Sequence, residues 1–329
     1  MGDLTSTEKA VQIVNEAIDA VKTIVTLPAS APLELDAALI RSYHEAFKDG
    51  KTFSDIYGEE DLRPYFRRQC GALDFCTRIL HLKESGHLAS FKESLGHFAN
   101  AGVSPSSPMT DYDDLDEKAK HHTRLLFEFY VASGITINSG SLAGIAGTKD
   151  QTQTNPDVAL SNCSIEALAC KLVTSKNYVT VFNRLMEGAA QIEAGSCSNG
   201  LVVLDVRHCV DQELLVPKTG DSYRTFTSEE QALEAQGQLF HAIAESINQV
   251  MTEDDATSYE GKTNRRGYLI AAQSFAIIEK EHGPVPFNLN KARFVPLVLD
   301  KGTTPEMMPA IFVDELDCAR WISTTPPLS

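Results

Sequence analysis

The sequence predicts a mixed α/β (α+β) fold, in which a helical N-terminal region precedes a mixed β-sheet flanked by helices. Three observations predict it. The first 105 or so residues carry apolar side chains at helical spacing. After them, short apolar strand patterns alternate with helical ones and lead to the run Gly200-Leu-Val-Val-Leu-Asp205, which reads as a strand buried on both faces. Between the two regimes lies Ser104-Pro-Ser-Ser-Pro108, followed by Asp111, Asp113, Asp114 and Asp116. Such a junction divides the chain into a helical region at 1–108 and an α/β region at 109–329 with a C-terminal extension.

The elements follow in order. Thr5-x-x-Glu8 forms a capping box, with Val11, Val14, Ile18, Val21 and Val25 behind it at helical spacing. Pro28-Ala-Ser-Ala-Pro32 breaks that helix, and further helices are expected over 33–48, 61–84 and 87–101. In the second region a helix is expected at 114–133, then a Gly/Ser-rich stretch with a short strand or two at 134–150. Strands near 157–161 and 165–171 come next. A helix over 176–194 buries Tyr178, Phe182, Leu185, Ala189 and Ile192. It leads into a strand at 200–206, and strand–helix–strand order indicates a crossover in a mixed sheet. Beyond Pro217 a helix is expected at 228–251, strands near 267–279 and 293–299, and then a Pro-rich tail.

The chain has 329 residues, with 29 Lys+Arg against 45 Asp+Glu and a formal net charge of -16. That balance weighs against coating nucleic acid or anionic membrane by bulk charge. The distribution is uneven. Residues 1–119 hold 12 basic and 20 acidic side chains, 120–218 hold 8 and 9, and 219–329 hold 9 and 16. The central segment is thus nearly neutral, and the acidic flanks suit a protein partner. No apolar stretch approaches the roughly 20 residues that span a bilayer, and no cationic, apolar leader opens the chain. Seven cysteines without a Cys-x-x-Cys pair read as reduced thiols of a cytoplasmic protein.

Several common catalytic signatures are absent, among them Gly-x-x-x-x-Gly-Lys-[Ser/Thr], His-Glu-x-x-His and Gly-x-Ser-x-Gly. Gly140, Gly144 and Gly147 read as turns, and His121-His122, beside the acidic run, as solvated histidines. Three other places carry a sharper signal. Glu128 is the single charge within Leu125-Leu-Phe-Glu-Phe-Tyr-Val-Ala132. A carboxylate there is costly to bury unless it pairs with Arg124 one turn earlier or faces a metal. Asp157, in Asn155-Pro-Asp-Val-Ala-Leu160, opens a short apolar strand. Lys171 ends Ile165-Glu-Ala-Leu-Ala-Cys-Lys171, sharing a face with Ile165, Ala167 and Ala169 by strand alternation. Beside Asp157 and Glu128, a lysine can orient a water and stabilise developing negative charge.

Helix carboxylate, Pro-Asp, a dozen residues, x-Lys on a strand, then a helix and an apolar strand: this order resembles the PD-(D/E)XK nuclease superfamily. The resemblance covers about a third of the chain and implies a restriction-endonuclease-like fold over 114–206. It implies a magnesium (or manganese) ion on Asp157 with Glu128 contributing, Lys171 activating the attacking water, and Gln191 touching the nucleic-acid backbone or bracing the site. It further implies a nuclease acting on DNA before RNA, in bacterial defence or DNA processing. The departure is Ala169, where the family places Glu or Asp. Three explanations stand: an inactivated form of a natural acid, Glu166 acting in its place, or a relative that binds without cutting. The rival to a nuclease is therefore a non-catalytic interaction protein that retains the fold. Homo-oligomerisation stays open.

Overall fold

The computed structural model describes residues 6–51, 55, 61–100, 117–145, 156–161, 164–195, 197–219, 222–280, 283–297, 312–323, 325 and 328. The junction at 104–116, Thr5, Gly147 and Asn155 lie outside the described residues. Helical periodicity becomes helix packing in the N-terminal region. Here α1 (Ser6–Lys22), α2 (Pro32–Lys48), α3 (Arg63–Glu84) and α4 (Lys92–Asn100) form, with a 3₁₀ turn at Leu88–Phe91 before α4. Helix α1 buries Val14, Ile18 and Val21 of the expected stripe, with Ala17 beside them, while Val11 is half-buried and Val25 lies past the helix end at Lys22.

Next comes α5 (Glu117–Ser139), which runs six residues past the expected end at 133. Ser133-Gly134 looks like a stop signal, but Gly134 is inside the helix. A Cβ there would stand 2.9 Å from the Trp321 carbonyl oxygen and 3.0 Å from Arg78 Nη1. The glycine permits close approach and does not break the helix. The helix ends at Gly140, whose φ of 71° is the left-handed conformation glycine adopts readily.

Six strands form one mixed sheet in the order β1-β2-β3-β4-β7-β8. These are β1 (Gly144–Ile145), β2 (Val158–Ala159), β3 (Ala167–Leu172), β4 (Gly200–Asp205), β7 (Gly267–Lys280) and β8 (Gly283–Pro296), with β5 (Lys218–Thr219) and β6 (Ser222–Tyr223) pairing separately after the one-turn helix α7 (Gln212–Leu215). Strands β3, β4 and β7 are parallel, and antiparallel strands flank them on both sides. The crossover from β3 to β4 is α6 (Tyr178–Ala194), capped by the Asn177 side chain accepting from Val179 N at 3.0 Å. Its buried stripe includes Val181 where Phe182 was expected. Val181, Leu185, Ala189 and Ile192 line up on the sheet, and Phe182 turns half out.

The sheet has helices on both faces. Leu168, Cys170, Leu201, Val203 and Leu269 pack into a core continuous with α1–α5 and α10 (Val313–Ser323). Ala169, Val202, Leu204 and Ile270 pack on the other face, against α6, α8 (Glu229–Gln249) and α9 (Glu253–Thr263). Each fully buried Leu or Ile is worth roughly 1.5–3 kcal/mol, so alternation along the strands holds both layers on. The chain is thus mixed α/β, with a mixed sheet flanked by helices.

Three expectations need correction. Strand β8 begins at Gly283, ten residues before the expected 293. Pro284 and Pro286 hid it, yet β8 is an edge strand, where a missing N–H is tolerated. The Pro-rich tail contains α10, which buries Glu315, Cys318, Ala319 and Ile322 at helical spacing. His121 is half-buried and His122 buried, with their rings and that of His97 about 6 Å apart. The packing of α4 on α5, not solvent, sets their surroundings. Among the described residues no helix is long and apolar enough to cross a membrane.

Candidate functional site

Register brings the sequence-predicted residues together. Val158 pairs with Leu168, so Asp157 stands across from position 169 at the start of β2. Lys171 lies two residues further along β3, on the α6 face with Ala169. Helix α6 approaches this face closely. A Cβ at Gly188 would meet Val202 Cγ1 at 2.7 Å and Lys171 Cγ at 3.3 Å. One turn on, Gln191 is thereby set down over the ends of β2 and β3.

Hydrogen bonds link three of the residues in a chain. Lys171 Nζ donates to Gln191 Oε1. Gln191 Nε2 donates to Asp157 Oδ1 at 3.0 Å. The other Asp157 oxygen, Oδ2, accepts from the Cys170 backbone N at 2.7 Å. A glutamine is suited to this place because its amide donates to a carboxylate at one end and accepts from an ammonium at the other.

Glu128 approaches from α5 on the opposite layer. It is 3% exposed, and its Oε1 lies 3.4 Å from Arg124 Nε, so the pairing one turn earlier does form. Burial, then the negative charge of Asp157, pushes the Glu128 carboxyl up to about 8, with Arg124 and Lys171 opposing. Burial also raises Asp157, against Lys171 and the hydrogen bonds from Gln191 and Cys170. A charged Asp157 thus opposes ionisation of Glu128. Near neutral pH Glu128 therefore favours its protonated form.

Position 169 is a methyl group with no exposure to solvent. Glu166 does not replace the missing acid, because its Oε2 accepts from Ser198 N at 2.8 Å in the loop before β4. A magnesium ion takes near-octahedral oxygen ligands. Here Asp157 has hydrogen bonds on both oxygens, Glu128 favours its protonated form, and Ala169 contributes nothing. Among the described residues no group of three or more His, Cys, Asp and Glu side chains is placed to hold a metal. A divalent cation here would rest on Asp157, Glu128, backbone carbonyls and water.

The sequence reading missed a second polar group nearby. Asp205, fully buried at the end of β4, receives Arg207 Nε at 2.9 and 2.8 Å on its two oxygens. On α3, Arg78 Nε donates to Asp74 Oδ2 at 2.9 Å, and the guanidinium lies 4.1 Å from the centre of the Tyr130 ring. The signals were present as Asp-x-Arg after an apolar strand and Asp-x-x-x-Arg on a helix. Compared with known proteins, the chain matches no family model, no curated protein and no solved structure.

Proposed function

We propose that this chain is a restriction-endonuclease-like nuclease core of the PD-(D/E)XK type, able to engage nucleic-acid phosphodiesters, DNA before RNA, and broken in its hydrolytic chemistry at Ala169. The observation that carries the reading is the Lys171–Gln191–Asp157 chain, with position 169 directly across from Asp157. In an α/β fold, a lysine, a carboxylate and the amide that joins them at one sheet end are groups that orient water and oppose charge on a phosphoryl oxygen. The near-neutral central segment, 8 basic against 9 acidic residues at 120–218, supports contact with a polyanion better than the acidic flanks do. Those flanks suit a protein partner, and a cytoplasmic setting is part of the same proposal.

The test is Ala169→Glu, with Ala169→Asp beside it. Each is first shown to fold by circular dichroism and a cooperative melt. Each is then assayed on plasmid, oligonucleotide DNA and RNA with magnesium or manganese, and with EDTA. We expect EDTA-sensitive cleavage in a variant and about 100-fold less or none with Ala169. A recovered cation site contributes several kcal/mol, and each 1.36 kcal/mol is tenfold in rate. Two folded variants without metal-dependent cleavage of any substrate overturn the reading. That result would favour a non-catalytic interaction protein, which the complete burial of Ala169 against α6 already suits.

A further inference from the structure

At the opposite end of the strand order from the candidate site, β8 is the edge of the sheet. Edge strands present N–H and C=O groups that pair with another chain unless something blocks them. The register of β7 with β8 runs without a bulge from Gly267↔Pro296 to Lys280↔Gly283, so alternate residues of β8 turn their backbone outward. Ala292 identifies which. Its N donates to Ser323 Oγ at 2.6 Å, and its carbonyl accepts from the same hydroxyl at 3.2 Å. Pro296, of the same parity, offers its carbonyl to Asn248 Nδ2 at 3.3 Å.

Much of this outward set is closed. Pro284 and Pro286 share the parity and have no N–H to offer, Ser323 caps Ala292, and Asn248 caps Pro296. Asn288 and Asn290 stay open. Among the described residues nothing pairs with their outward N–H and C=O groups, and the side-chain Oδ1 of each is buried without a partner. Both line a groove of about 540 Å³, within the roughly 300–1,000 Å³ of ligand sites. Its apolar lining comes from both layers: Ile13 of α1 and Leu73 of α3, Leu233 of α8, and Phe287 and Leu328.

Shape and chemistry select the occupant. Outward donors and acceptors two residues apart, about 7 Å along a strand, repeat at the period of an extended backbone. Walls from both layers match the side chains that such a strand points alternately to either side. The edge lies between helices of both layers, which leaves room for one strand and not for the sheet of a second copy. Charge adds a preference. Asp74 is paired with Arg78 at 2.9 Å, and both its oxygens are bonded. Lys9 of α1 also lines the groove and has no carboxylate partner among the described residues.

We propose that this groove binds an extended segment of a partner protein as a seventh strand on β8. Its backbone pairs with Asn288 and Asn290, its apolar side chains alternate between the two layers, and a carboxylate meets Lys9. The inference does not depend on the nuclease reading.

The test begins on the whole chain alone. Amide hydrogen exchange followed by NMR should be fast at Asn288 and Asn290, and about 100-fold slower at Leu289 and Lys291, whose N–H groups face β7. Equal protection at all four overturns the proposal, because the edge is then already covered. Ten-residue peptides are next selected on the whole chain from a displayed random library and resynthesised. Bound peptide should slow exchange at Asn288 and Asn290. Asn288→Pro, which repeats what 284 and 286 already carry, should weaken binding about tenfold, the scale of one backbone hydrogen bond, with the melt unchanged. N-methylating alternate peptide residues leaves the protein untouched and should weaken binding in one phase only, because every second N–H faces β8. Lys9→Gln should cost about threefold, as an exposed ion pair does. No binder, binders that leave both amides unprotected, or binders equally sensitive to N-methylation in both phases overturn the proposal. Indifference to Lys9→Gln alone overturns its carboxylate.

Discussion

Replacing Glu128 with glutamine should stabilise the folded chain at neutral and alkaline pH and leave it nearly unchanged in acid. Glu128 is 3% exposed, and its carboxyl is pushed from an ordinary 4.5 up to about 8 by burial and by Asp157. The folded chain therefore holds this proton more tightly than the unfolded chain does. Stability falls as pH rises from about 4.5 to about 8 and is level above that. At 1.36 kcal/mol per pH unit the full loss is on the order of 4–5 kcal/mol. Local relaxation and water entry reduce such penalties, so a gap of about 2 kcal/mol at pH 8 is the expected outcome. Glutamine keeps the shape, carries no charge to desolvate and loses only the long Arg124 contact at 3.4 Å. Urea denaturation of both chains at pH 5, 7 and 9 reads the gap directly. A gap independent of pH, or a glutamine variant less stable at pH 8, would refute the reasoning.

Two further outcomes follow from the same site. Gly188→Ala places a methyl 2.7 Å from Val202 Cγ1, and the overpacking should cost about 1–3 kcal/mol by chemical denaturation, with Gln191 displaced from the sheet end. Gln191→Leu removes the bridge between Lys171 and Asp157. The Asp157 carboxyl should then titrate higher by carboxyl-carbon NMR, and cleavage by an Ala169→Glu chain should be lost with only about 1–3 kcal/mol of stability. An unmoved Asp157 titration would show that the bridge does not tune that carboxylate.

The legible parts of the fold share a physical character. Helices α1, α2, α3 and α6 and strands β3 and β4 each have an apolar period long enough to declare itself before any tertiary contact forms. The candidate residues Glu128, Asp157 and Lys171 were legible too, each as a charged group within or at the end of an apolar run, whereas Gln191 was named only through the family resemblance. Their mutual geometry was not. Ala169 already pointed to a missing acid, but only the register shows it across from Asp157, and only the hydrogen bonds show both Asp157 oxygens engaged.

Other features were decided by contacts between distant residues, which no local window contains. Gly134 lies within a helix because the Trp321 backbone packs against it, 187 positions away in sequence. Pro284 and Pro286 belong to a strand because β8 lies at the sheet edge. The Asp74–Arg78 and Asp205–Arg207 pairs line one cavity because α3 and α5 close over β4 and β7. By itself the sequence determined the class of fold, its main elements and which polar residues stand out. Tertiary structure alone decided which of those residues meet and which donors remain unmet, because hydrogen-bond geometry and burial depend on what packs from the other side.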